Sequence, residues 1–168
     1  MSKPSVDPAP SDETIGTSRL QVSVAAPATA DRAARVLGPG RSAWLGELVE
    51  SGEGEGAGRY LLDLELRVSE AAPRVAFRKA AYVDIGPMVE GPDGPTAELS
   101  WRAAGMATLF PVFAGSLAWR DGELQLDGYY APPGGGVGQI ADRLLLNVAA
   151  RATGRRLLER IAEVMQEG

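Results

Sequence analysis

The chain contains no cysteine and no histidine. The first absence excludes disulfide frameworks, thiolate zinc sites and cysteine nucleophiles. The second removes the commonest general base and the commonest metal ligand. Ser-His-Asp and Cys-His arrangements therefore have no counterpart here, and no metal or cofactor is expected. Positive charge is also in short supply. Seventeen Lys and Arg stand against 22 Asp and Glu, a formal net charge of −5. A duplex-binding protein needs a basic footprint to displace counterions, so nucleic acid is not an expected partner. Long apolar runs are lacking as well. The longest uncharged stretch, Ala103 to Trp119, is about the length of a short membrane span. Pro111 interrupts it, with Gly105 and Gly115 on either side, and the stretch reads as two strands around a turn. No integral membrane segment is expected. Met1 to Thr17 is rich in Pro, Ser and Asp and has no apolar h-region, so it is not a signal peptide, and the default expectation is a cytoplasmic protein.

What remains is ordinary for a globular protein. The 168 residues are 45% hydrophobic and 23% charged, enough for one domain with a sizeable core. Residues 1–18 read as a disordered tail, because Pro4, Pro8 and Pro10 break regular structure and few large apolar side chains are present to offset ordering entropy. The domain is expected over 19–168.

Leu20, Val22 and Val24 alternate with polar residues, the pattern of a half-buried strand. Two short helices are expected next. Thr29 caps the first, with Asp31 in its opening turn and Gly38-Pro39-Gly40 as its stop, and Ser42 caps the second, which carries Trp44, Leu45, Leu48 and Val49. From Arg59 the apolar period becomes two. Tyr60, Leu62, Leu64, Leu66 and Val68 share a face, as do Val75, Phe77, Ala81, Val83 and Ile85, with Lys79 out of character among them. The same alternation runs through Ala97 to Ala103, Phe113 to Trp119 and Leu124 to Tyr130, with Asp121-Gly122 as a two-residue hairpin turn. Six strands with one apolar face each make an antiparallel sheet covered on one side. Residues 137–165 then read as a helix about 43 Å long at 1.5 Å per residue. Val137, Ala141, Leu144, Val148 and Ala152 form its first apolar stripe. Leu157, Leu158, Ile161, Val164 and Met165 form a second, rotated by roughly 120° at 100° per residue. Either the helix bends at Gly154 or its halves pack against different partners. Only this helix is long enough to cover the sheet.

Several motifs have ordinary readings. Gly52 to Ala57 spells the letters of a dinucleotide loop, but a helix is expected before it and a strand after it, and Glu53 and Glu55 repel pyrophosphate. Gly134 to Gly138 precedes a helix without a following Lys and reads as a hinge. Glu53/Glu55 and Asp63/Glu65 do not supply the six or so converging oxygens of a hard-cation site. The arginines of the last helix alternate with Asp142, Glu159 and Glu163, the pattern of a solvated face, with a surface for an acidic partner or anionic lipid as the alternative reading.

The element order, together with Trp101-Arg102, Leu109 to Phe113, Tyr130 to Pro133, Gly138 and Asp142-Arg143, resembles the START/Bet v 1-like superfamily, also called SRPBCC or helix-grip. Its local part is similar to an uncharacterised bacterial subgroup of polyketide cyclase/dehydrase-like proteins. Two features depart from that pattern. The superfamily has seven strands where six are counted here, so one is missing or hidden within 74–91. Gly134-Gly135-Gly136 also stands where the subgroup carries Leu-Gly. The resemblance implies an α+β fold in which a curved antiparallel sheet wraps a long C-terminal helix. It also implies an internal cavity between the two. Phe77, Lys79, Trp101, Phe113, Leu117, Tyr130, Leu144 and Val148 are the cavity candidates. The expected function is binding or carriage of a small hydrophobic molecule, of lipid, polyketide or isoprenoid type. No residue is assigned a catalytic role. A polyketide cyclase/aromatase-type enzyme and an interaction module with a filled core stand as alternatives, with any protein partner unspecified.

Overall fold

Period-two alternation becomes strand wherever the sequence places it. In the computed structural model, which describes residues 17–67, 76–105, 112–131 and 140–167, eight strands form one antiparallel sheet. They are β1 (Ser18–Ala25), β2 (Glu47–Ser51), β3 (Gly58–Arg67), β4 (Ala76–Ile85), β5 (Val89–Gly91), β6 (Gly94–Ala103), β7 (Val112–Arg120) and β8 (Glu123–Ala131). The order across the sheet is β1-β8-β7-β6-β4-β3-β2, with β5 paired to β6. Among the described residues there are two α-helices, α1 (Ala30–Leu37) and α2 (Ile140–Gln166). Of the expected tail, 1–18, residues 1–16 lie outside the described residues, and β1 opens at Ser18.

The inward faces carry the expected residues. Leu20, Tyr60, Leu62, Leu64, Ala81, Val83, Ile85, Ala97 and Leu99 are all buried. Fully burying one aliphatic side chain of this size is worth about 1.5–3 kcal/mol. The Asp121-Gly122 turn has positive φ at both positions (48° and 84°), as a type I′ hairpin requires, and pairs Arg120 with Glu123.

The second expected helix is not one. Pro39–Ala43 is a single 3-10 stretch, and Glu47–Ser51 is the edge strand β2, hydrogen-bonded to β3. Trp44, Leu45, Leu48 and Val49 mimic a helical stripe, but the structure divides them. Trp44 and Leu45 are buried, whereas Leu48 and Val49 are 47% and 52% exposed. The division occurs at Gly46, where a Cβ would lie 1.9 Å from the Leu61 carbonyl oxygen, so the chain runs against β3. The strand count is corrected by the same segment. The seventh strand of the main path is β2, and the segment 74–91 holds, besides β4, the three-residue β5 as an eighth strand.

Caps hold the helices at both ends of α1. Thr29 Oγ1 accepts from Arg32 N–H at 3.2 Å. At the other end, Arg41 Nε donates to the Leu37 carbonyl and its Nη1 to the Gly86 carbonyl at 2.7 Å. Burial lowers the Arg41 pKa. Arg32 of α1 reaches α2, donating to the carbonyls of Val164 (2.7 Å) and Met165 (3.4 Å). A cation at a helix C-terminus is favourable there on both hydrogen-bond and dipole grounds.

α2 is one continuous helix of 27 residues. Ala150, Thr153, Gly154, Leu157, Leu158, Ile161, Ala162 and Met165 form its buried face, so the second stripe extends back to 150. Gly154 is a contact point within this unbroken helix. A Cβ there would lie 3.1 Å from Leu126 Cδ2, 3.5 Å from Val22 Cγ2 and 3.7 Å from Leu20 Cδ2. The glycine lets the helix approach β1 and β8 closely. α2 also packs on β3, five places away from β1 in the sheet order. A straight helix can meet both only if the sheet curves around it. Together, curved sheet and central helix make the α+β helix-grip arrangement.

Candidate functional site

Registration places three of the eight cavity candidates side by side. One cross-strand row reads Tyr60, Val83, Trp101, Phe113, Tyr130 through the pairs β3–β4, β4–β6, β6–β7 and β7–β8. Directly opposed residues of an antiparallel pair share a face, and every member of this row points inward and is buried. Trp101 and Phe113 stack, with ring centroids 4.3 Å apart and an interplanar angle of 20°.

The next row explains that stack. It reads Ile85, Leu99, Gly115, Gly128, Leu20. A Cβ built at Gly128 would lie 2.6 Å from Gly115 Cα and 2.8 Å from Phe113 Cζ, and the reciprocal distances at Gly115 are 2.6 and 2.7 Å. The paired glycines thus clear a floor onto which the Phe113 ring folds. Neither glycine was a candidate on sequence grounds. Their signal was two glycines in the inward phase of adjacent strands, and only the register reveals that they face each other.

Leu117 is buried one row further on, opposite Ala97 and Leu126. Val148 is 44% exposed, on the first stripe of α2 and away from its packed face. The side chains of Phe77, Lys79 and Leu144 lie outside the described residues; the β4 backbone sets Phe77 opposite Leu66 and Lys79 opposite Leu64.

The three tryptophans differ in one respect. Trp44 Nε1 donates to the Val36 carbonyl at 2.9 Å, and Trp119 Nε1 to the Ala26 carbonyl at 2.9 Å. Trp101 Nε1 is buried and has no hydrogen-bond partner among the described residues. Leaving such a donor unpaired costs about 1–3 kcal/mol.

On the outward face of the sheet lies a broad groove of about 970 Å³, whose lining includes Arg19, Arg59, Asp84, Glu98, Ser100 and Asp127. None of the cavity candidates whose side chains are described lines it. Its main charges pair with one another: Arg19 with Asp127 at 2.8 Å, and Arg59 with Asp84 at 2.7 Å and Glu50 at 3.6 Å. The hydrogen bond and charge of Arg19 hold the Asp127 carboxyl below the usual carboxylate range. A saddle of mutually compensated, solvated ion pairs is an ordinary outer sheet face. The interior is the stronger candidate site, because its polar and aromatic groups are desolvated.

No family model matches the chain, and no curated protein matches it. Among solved structures it is similar to KanY, studied in solution, at 16% identity over 91% of this chain and 99% of that one, with a TM-score of 0.49. A Staphylococcus epidermidis protein, also solved in solution, is 10% identical over 89% and 90% of the two chains, with a TM-score of 0.46. DynU16, a protein of the dynemicin biosynthetic locus, is 18% identical over 84% of this chain and 46% of its own, with a TM-score of 0.42.

No described helix is long and apolar enough to cross a membrane.

Proposed function

We propose that this protein binds a small apolar molecule between the sheet and the first half of α2, in the manner of the START/Bet v 1-like superfamily that its sequence resembles. One observation carries the reading: how α2 sits in the sheet. Among the described residues, the backbone of α2 comes nearest to β1, β8 and β3 and less near to the middle strands β4, β6 and β7. Trp101, Phe113 and Tyr130 lie on or beside those middle strands, on the concave inner face. Among the described side chains the buried stripe of α2 runs from Ala150 to Met165, and Val148 lies off it. A mostly apolar pocket with a small number of polar groups is how small-molecule sites are built. Carriage or sensing needs no more than this, and no catalytic role is assigned to any residue.

The test is titration of the purified chain with an uncharged naphthalene probe, followed by fluorescence and by ¹⁵N–¹H NMR. Uptake with shifts confined to Trp101, Phe113 and Tyr130 is expected. Shifts confined to the outward face around Arg19 and Asp127 would overturn the interior reading, and so would an absence of uptake.

A further inference from the structure

The interior holds a donor that the fold itself does not use. Trp101 is 1% exposed, and its indole N–H has no partner among the described residues, whereas the other two indoles each reach a backbone carbonyl. The orphaning is a property of this position. Trp101 is fixed by its stack on Phe113, which is in turn fixed by the Gly115–Gly128 floor. The ring therefore cannot rotate toward a backbone acceptor without giving up that stack. Folded proteins leave few buried donors unpaired, and those that remain call for an explanation.

We infer that Trp101 Nε1–H is the polar recognition point of the interior site, and that the ligand class is an apolar molecule with a neutral acceptor oxygen, such as a carbonyl. The inference rests on the interior-binding reading above. A single neutral N–H matches one neutral carbonyl. A carboxylate would bring a full charge into the site, which one such donor does not compensate.

Two probes of matched shape separate the donor from the cavity: 2-acetylnaphthalene, which has a carbonyl, and 2-ethylnaphthalene, which lacks one. After correction for their different partition from water, the wild-type protein is expected to bind the ketone about five- to tenfold more tightly, the scale of one net hydrogen bond. Trp101→Phe keeps an aromatic ring against Phe113 and removes the N–H; it is expected to bind both probes equally. The three indole cross-peaks provide a readout on the unmutated chain. Only the Trp101 N–H is expected to move downfield with the ketone, with Trp44 and Trp119 as internal controls. Equal affinity of the wild-type protein for both probes, with an unmoved Trp101 N–H, overturns the donor assignment and leaves the binding reading standing. Failure to bind either probe overturns both.

Discussion

The two ends of the sheet–helix interior are built differently. At one end α1 closes against α2, Arg32 ties the two helices together, and Leu157, Leu158, Ile161 and Met165 are all buried. Side chains there recur at helical spacing. At the other end lies the aromatic row over a floor of two glycines, with an indole donor that lacks an acceptor among the described residues and a valine of α2 that is 44% exposed. Beside α1 the buried Arg41 also leaves Nη2 without a partner among the described residues, but its Nε and Nη1 both reach carbonyls. The aromatic end leaves its indole wholly unpaired and gives up side-chain volume at Gly115 and Gly128, which are costs a purely structural core avoids.

The contrast can be broken at its strongest point first. Leu158→Ala removes a fully buried side chain at the closed end and is expected to cost about 2–5 kcal/mol in denaturant unfolding. A cost below about 1 kcal/mol would show that this end is as loosely packed as the other. Gly128→Ala comes next. Its Cβ would lie 2.3 Å from the Ala114 carbonyl oxygen and 2.6 Å from Gly115 Cα, so backbone must move and the Phe113 ring must lift. An overpacking cost of about 1–3 kcal/mol or more is expected, together with altered Trp101 fluorescence. Normal stability and emission would show that the floor does not shape the stack.

Arg32→Ala tests the tie between helices. Loss of the two hydrogen bonds to α2 carbonyls is expected to cost about 1 kcal/mol, with faster amide exchange in the last turn of α2 before the global transition. Val148→Ala is expected to change stability by no more than about 0.5 kcal/mol, as for a half-exposed side chain outside the packed stripe. A loss comparable to that at Leu158 would place Val148 in the core after all. The smallest effect concerns pH. The Asp127 carboxyl is held down by Arg19, so its ion pair stabilises the folded state above the unfolded carboxylate pKa and is lost as pH falls through the folded value. The small difference in melting temperature between wild type and Asp127→Asn should shrink to nothing in acid; a difference that grows there would reverse the assigned sign.

Much of this architecture was legible from side-chain periodicity. A strand's inward face is written every second residue, and that rule located β1, β3, β4, β6, β7 and β8. The I′ turn at Asp121-Gly122 followed from the backbone freedom those residues allow. β2 was misread because Trp44, Leu45, Leu48 and Val49 fit a helical stripe, and an edge strand exposed on both faces has no periodic signature of its own. Trp101, Phe113 and Tyr130 were picked out individually as inward aromatics, but nothing local sets them in one row.

By itself the sequence determined which residues face inward along six of the strands, where the last helix runs, and which chemistries are closed to a chain without cysteine or histidine. These are local matters of spacing and residue type. Only the tertiary structure decided that Gly115 meets Gly128, that Gly154 is a point of contact and not a hinge, and that of three tryptophans one is left with an unused N–H. Each of these depends on register between strands or on the seat of a helix across a curved sheet. Such relations join residues far apart in the chain, and the packing of the whole sets them.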